Sequence, residues 1–299
     1  MYHYGEGVLK DSAQAVMWLR KAAEQGNADA QTALGTIDQN IRPEKETPQD
    51  STDGVTALRK AADMGDVDAQ VKLGAIYHKG NGVPKDSTLA ALWYRKAADQ
   101  GNANAQAFLG LMYYNGDGVP KDSAQAVMWL RKAAEQGYAK AQALLGGLYK
   151  IGDGVPKDLS QALLWFRRAA EQGNAETQEL LGRMYYDGDG VPQDYAQAAI
   201  WMQKAAVQGF APAQLALGTA YVSGEGVPRD FKQAAIWLHS AAEQGFAPAQ
   251  YVFGVMYHRG VGVPKDMEQA VLWLRKAAEQ GNSDAKAELE EIYQDVKPA

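Results

Sequence analysis

The sequence predicts an all-α fold, a solenoid built from helix-turn-helix repeats of 36 residues, and three observations predict it. Tryptophan falls at positions 93, 129, 165, 201, 237 and 273, a constant step of 36. Glycine keeps the same step at 65, 101, 137, 173, 209, 245 and 281. Within each period, apolar residues recur at helical spacing on two separate stripes, so one repeat is two helices that need neighbours to bury their faces. The segment DSAQAVMWLRKAAEQG illustrates this, standing at 11–26 and again, letter for letter, at 122–137. Identical text implies identical neighbours. Gly26 to Gly65 is 39 residues, so one copy carries a three-residue insertion.

The first helix of a repeat shows Ala105, Leu109 and Tyr113 at i, i+4 and i+8, with the tyrosine recurring at 77, 149, 185, 221, 257 and 293. This is its inner stripe. Gly110 and its counterparts 74, 146, 182, 218 and 254 lie in the middle of that helix. Glycine there costs about 1 kcal/mol relative to alanine, so its recurrence predicts a neighbouring helix too close for a side chain. The Gly116–Pro120 stretch, GDGVP, supplies the turn between the two helices. In the second helix Ala126, Trp129, Ala133 and Ala134 share one face. Asp122 with Gln125 three residues on predicts a capping box at its start, repeated at Asp11/Gln14, Asp158/Gln161, Asp194/Gln197, Asp230/Gln233 and Asp266/Gln269. Gly137 and its equivalents end it in the left-handed conformation.

Composition narrows the function. The net charge is −6 and no run of five basic residues occurs, so the electrostatic footprint of a nucleic-acid binder is missing and nucleic acid is not an expected partner. No segment reaches the about 18 apolar residues of a membrane span, and MYHYGEGV has neither the charged nor the apolar region of a signal peptide. With zero cysteines, disulfides and thiolate chemistry are excluded and the redox compartment stays open.

The candidates for chemistry dissolve into the repeat. His3, His78 and His258 share one repeat position but belong to non-adjacent copies, without the spacing that brings ligands together, so no metal site is expected. The Gly-x-Gly-Val-Pro loops lack a following G-K-[ST], so neither phosphate binding nor any cofactor is expected. The carboxylates are cap aspartates or solvated glutamates such as Glu135, and the tryptophans are packing residues before they are ligands. No catalytic residues are assigned, and the chain is expected not to be an enzyme.

The segment AQAFLGLMYYNGDGVPKDSAQAVMWLRKAAEQG at 105–137 resembles the Sel-one-like repeat (SLR) family of the tetratricopeptide-like superfamily. The pattern repeats along nearly the whole chain, as a single solenoid over 1–299 of about seven and a half repeats. The resemblance implies a right-handed α/α superhelix and a non-catalytic adaptor, of the kind found in bacterial host interaction, signalling, assembly or immunity to a toxin. The chain departs from the pattern at 27–65, where TIDQNIRPEKET follows Gly35, Asp38 replaces the tyrosine and Ala57 the tryptophan. This is either a decayed repeat with a longer surface loop over 36–48 or a specialised contact loop. At the end, 283–299 carries Glu290 in place of the mid-helix glycine and reads as a polar capping helix. Met1 aligns with Met112, Met184 and Met256, inside a first helix, which suggests a missing upstream portion. The location would be periplasmic or secreted if a signal had been removed, cytoplasmic if Met1 is the native start.

Some first-helix positions differ between copies while the packing positions do not: Lys79, Tyr114, Asn115, Lys150, Arg183, Tyr186, Asp187, Tyr251 and Arg259. In the family the first helices line the concave face, so the resemblance places these residues in a groove, and tyrosine and arginine are enriched at binding hot spots. The expected function is a scaffold holding a protein or peptide partner there. Two alternatives stay open: these are merely unconstrained surface positions, or the chain is the regulatory module of a larger enzyme or signalling protein.

Overall fold

The computed structural model describes residues 53–295, and among them are fourteen α-helices and no strand. Helix α1, Asp53–Asp63, precedes six pairs: α2 Val67–Lys79 with α3 Ser87–Asp99, α4 Ala103–Asn115 with α5 Ser123–Glu135, α6 Ala139–Ile151 with α7 Leu159–Glu171, α8 Ala175–Asp187 with α9 Tyr195–Val207, α10 Ala211–Ser223 with α11 Phe231–Glu243, and α12 Ala247–Arg259 with α13 Met267–Glu279. Helix α14, Ser283–Asp295, follows. The alternation of two 13-residue helices per repeat is the all-α solenoid that the 36-residue period predicts. Trp18, the first capping pair and the irregular 36–48 stretch lie outside the described residues.

The described residues form two compact units, 53–141 with 153–155, and 142–152 with 156–295. In the first, α1 through α5 pack each on the next; in the second, α7 through α14 do the same. The core of each is the meeting of the two predicted stripes. Ala105 and Leu109 of α4 are buried in one cluster with Ala97 of α3 and Trp129 of α5. In the second unit Trp201 of α9 packs with Ala170 of α7 and Leu181 of α8, and so ties one repeat to the previous one. Trp93, Trp129, Trp165, Trp201 and Trp273 are all buried. A lysine or arginine three residues further on sits over each of these rings, from Lys204 at 3.9 Å to Arg168 at 4.8 Å. Where Ser240 takes that place, Trp237 is only half-buried.

The mid-helix glycines sit where the sequence demands close approach. A Cβ on Gly110 would stand 2.8 Å from Leu130 Cγ, and one on Gly218 would stand 2.7 Å from Leu238 Cγ. A real Cβ does not come that near, so the first helix can lie on the second only through its glycine. Between the helices, the second loop glycine meets the preceding repeat. Gly226 has φ +76°, and a Cβ there would lie 1.9 Å from the carbonyl oxygen of Tyr195, the first residue of α9.

The predicted capping box is half right. Asp122 caps α5 by accepting the Gln125 N–H at 3.0 Å, and the aspartates at 86, 158, 194, 230 and 266 cap their helices likewise. The reciprocal half is replaced: the Asp122 N–H donates to the Tyr113 carbonyl of α4 at 2.9 Å, as Asp194 does to Tyr185 and Asp230 to Tyr221. The cap donor is thus spent on closing the helix pair. First helices α2, α4 and α8 start with Asp66, Asn102 and Asn174 as the cap, but α10 and α12 start after Phe210 and Phe246 with no side-chain cap. Pro212 and Pro248 stand in their first turns, where proline removes an N–H that would otherwise lack a partner.

A buried polar ladder that the sequence reading did not foresee runs beside the core. Gln214 donates to the Ala206 carbonyl at 3.1 Å and accepts from Gln244 at 2.8 Å. Gln106, Gln178 and Gln250 repeat the arrangement with Ala98, Ala170 and Ala242 and with Gln136, Gln208 and Gln280. Each glutamine thereby gives a second donor to a carbonyl in the last turn of the preceding helix, which also accepts the N–H of the glycine that follows that helix.

Candidate partner-binding face

In three repeats the last turn of the first helix meets an acidic residue that stands between the two glycines of the next repeat's loop. In the first unit His78 lies 3.4 Å from Asp117. In the second, Lys150 pairs with Asp189 at 2.8 Å and the Tyr186 hydroxyl donates to Glu225 at 2.9 Å. Each pair is separated by 39 residues, one period plus three, so the same geometry recurs with different chemistry. The acid position was readable in the sequence as the middle residue of GDG or GEG, and it was missed because it looks like turn composition. Hydrogen bonding to Glu225, then burial and the nearby negative charges, raise the hydroxyl pKa of Tyr186. Its ring also packs against Tyr195 at 5.1 Å.

The remaining sequence candidates occupy distinct settings. In the first unit Lys79 and Asn115 are exposed, while Tyr114 is half-buried with the Lys121 ammonium 5.6 Å from its ring. In the second, Arg183 and Asp187 are exposed, and Arg183 bonds only the carboxylate one turn back, Glu179, at 2.8 Å. Tyr251 and Arg259 lie at the far end of that unit. Tyr251 is half-buried against the cluster of Leu274, Leu289 and Ile292, and its pKa is raised by burial, then by Glu288 and Asp284, against an opposing effect of Arg259. Glu288 is buried and accepts from His258 at 2.9 Å, with Arg259 3.7 Å away. Arg183, Tyr186 and Asp187 stand together on one helix end, and Tyr251, Arg259 and Glu288 form a second group.

These groups can hydrogen-bond and pair charge with a polypeptide. Among the described residues no cluster of three or more His, Asp or Glu side chains is placed to hold a metal ion, and His3 lies outside them. No described helix is long and apolar enough to cross a membrane.

The geometry agrees with what comparison with known proteins finds. The Sel1 repeat model matches residues 1–27, 67–102, 103–138, 139–174, 175–210, 211–246 and 247–282. Among solved structures, c5321, a protective antigen present in uropathogenic Escherichia coli strains and displaying an SLR fold, is 40% identical with a TM-score of 0.81. That match covers 94% of this chain but only 60% of c5321. A Sel1 repeat protein from Oxalobacter formigenes is 37% identical with a TM-score of 0.70, over 78% of this chain and 95% of its own. No curated protein matches by sequence. Seven matched copies, covering well over half of its length, make this chain a member of the Sel1 repeat family, whose members are generally protein-interaction scaffolds.

Proposed function

We propose that the protein is a non-enzymatic adaptor that binds a protein or peptide partner along the ends of its first helices. The observation that supports this reading is the recurring position at the last turn of those helices. One backbone geometry presents a lysine at 150, a tyrosine at 186 and a histidine at 258, each joined to a carboxylate. The packing residues repeat; these do not. A surface whose frame is fixed and whose side chains vary suits recognition of an irregular polypeptide, and Arg183 and Tyr186 are of the types that dominate interface energetics.

The test begins with a partner captured from cell extract and purified. Arg183→Ala combined with Tyr186→Ala should weaken its affinity by about 2 kcal/mol or more, while helical signal and melting midpoint stay as in the parent. Glu135→Ala, on the second-helix side of the first unit, should change neither. Full affinity in the double variant, together with loss on replacing 36–48, would move the contact to the irregular repeat.

A further inference from the structure

The second helices of the second unit expose an apolar row that no packing role explains. Leu164, Ile200, Ile236 and Leu272, one per repeat, occupy the position just before tryptophan, are 40%, 46%, 57% and 44% exposed, and succeed one another at steps of 36 residues. Val207, one turn beyond the Gln203 that follows Ile200, is 70% exposed and stands where α7, α11 and α13 carry Glu171, Glu243 and Glu279. Apolar side chains exposed in register on the second helices of four successive repeats form a patch, and patches of this kind mark interaction sites.

The patch has its own relief and its own charge. At α13 a shallow depression of about 440 Å³ is lined by Met267, Glu268, Val271, Leu272 and Arg275. In the first unit the corresponding residues of α5, among them Val127, Met128 and Arg131, line one of about 350 Å³. A dimple with an apolar floor and an arginine at its rim thus occurs on α5 and on α13, whereas α9 and α11 carry Gln203 and His239 at the arginine position. The four second helices α7, α9, α11 and α13 carry six Lys/Arg against four Glu, in a chain of net charge −6. The first helices α8, α10 and α12 with residues 142–151 of α6 carry three Lys/Arg against three Asp/Glu, and the terminal α14 carries one against five. Four residues beyond Leu164, Ile200 and Leu272, the cations of Arg168, Lys204 and Lys276 lie over the tryptophan rings.

We propose that this second-helix face is a second docking surface, distinct from the first-helix ends, whose occupant is an acidic segment of a partner protein with apolar residues between its carboxylates. The apolar side chains enter the row and its depressions, and the carboxylates meet the Arg168, Lys204 and Lys276 cations. Complementarity selects the occupant: a basic segment would face the excess of like charge, and a purely acidic one would leave the row uncovered.

The probe is a fluorescein-labelled peptide of alternating glutamate and leucine, titrated into the whole protein with polarisation as the readout. Companion peptides replace every leucine by glycine, or every glutamate by lysine. The alternating acidic peptide should bind with a dissociation constant well under about 1 mM, bind more weakly as salt rises, and outbind both companions. Ile200→Asn with Ile236→Asn should weaken it by about tenfold or more, which is about 1.4 kcal/mol. Both residues are exposed, so circular dichroism should show the parent fold. Arg183→Ala with Tyr186→Ala should leave this binding unchanged, which separates failure here from failure of the first-helix reading. No binding by the parent, equal binding of either companion, or parental affinity in the asparagine variant overturns the proposal. So does assignment of the face to another occupant: sedimentation with phosphatidylserine vesicles, or self-association of the parent, abolished in each case by the asparagine substitutions.

Discussion

Replacing Gly218 by alanine tests the packing of helix pairs against the propensity of the helix itself. Propensity alone favours the change by about 1 kcal/mol, since glycine is the poorest helix former after proline. The structure opposes it. The new Cβ would stand 2.7 Å from Leu238 Cγ and 3.1 Å from Leu238 Cδ2, with the Ala234 carbonyl oxygen at 3.3 Å behind them. Leu238 is fully buried, so it has no free direction in which to retreat. Overpacking of a dense core typically costs about 1–3 kcal/mol, which leaves a net loss of about 1 kcal/mol. Gly147 provides the control in the same unit. It lies inside α6, and a Cβ there would meet nothing within 4 Å. Gly147→Ala should therefore stabilise by about 0.5–1 kcal/mol. Guanidinium unfolding followed by circular dichroism should move the midpoint down for Gly218→Ala and up for Gly147→Ala. Stabilisation by both would show that the helices are not held at the distance this account requires.

Three further outcomes follow from the same packing. Trp201→Ala should cost about 3–5 kcal/mol by chemical denaturation, because the ring joins Ala170 of one repeat to Leu181 of the next; a loss under 1 kcal/mol would place the ring outside the core. Gln214→Leu should cost about 1–3 kcal/mol, since Gln244 loses its partner and the Ala206 carbonyl one of its donors; an unchanged midpoint would remove the glutamine ladder from the stabilising contacts. Burial raises the Tyr94 pKa from 10.0 to about 12. The unfolded chain therefore loses this proton first, and the folded state is destabilised by about 1.4 kcal/mol per pH unit as pH rises through that window. Tyr94→Phe, which keeps the ring stacked on Phe108 at 5.0 Å, should flatten the alkaline decline, whereas identical slopes would refute the assignment.

The legible features of this fold are those that repeat with a chemical signature of their own. Trp129 and Gly110 announce themselves because neither residue type is at home at random positions of a helix, and their period revealed both the number of helices and the stripe that each buries. Gln106 escaped notice because glutamine ordinarily faces water, although its fixed place after alanine in A-x-A-Q was the available clue. The capping aspartates were legible, but the fate of their N–H groups was not. That depends on the Tyr113 carbonyl, which only the closed helix pair brings within reach. The candidate face shows the same limit. Variation between copies singled out Lys150 and Tyr186, whereas their partners Asp189 and Glu225, 39 residues away, required the pitch of the stack. Tyr251 looked equivalent to the others in the sequence, yet Leu289 and Ile292 of the last helix lie in the cluster it packs against.

The adaptor reading stands on whether a bound partner covers the ends of the first helices, and hydrogen–deuterium exchange on the purified complex measures this directly. The account predicts slower exchange in the complex for the amides of 183–187 and for the loop that carries Glu225. Unchanged exchange at those amides in a saturated complex, with protection elsewhere, would contradict it.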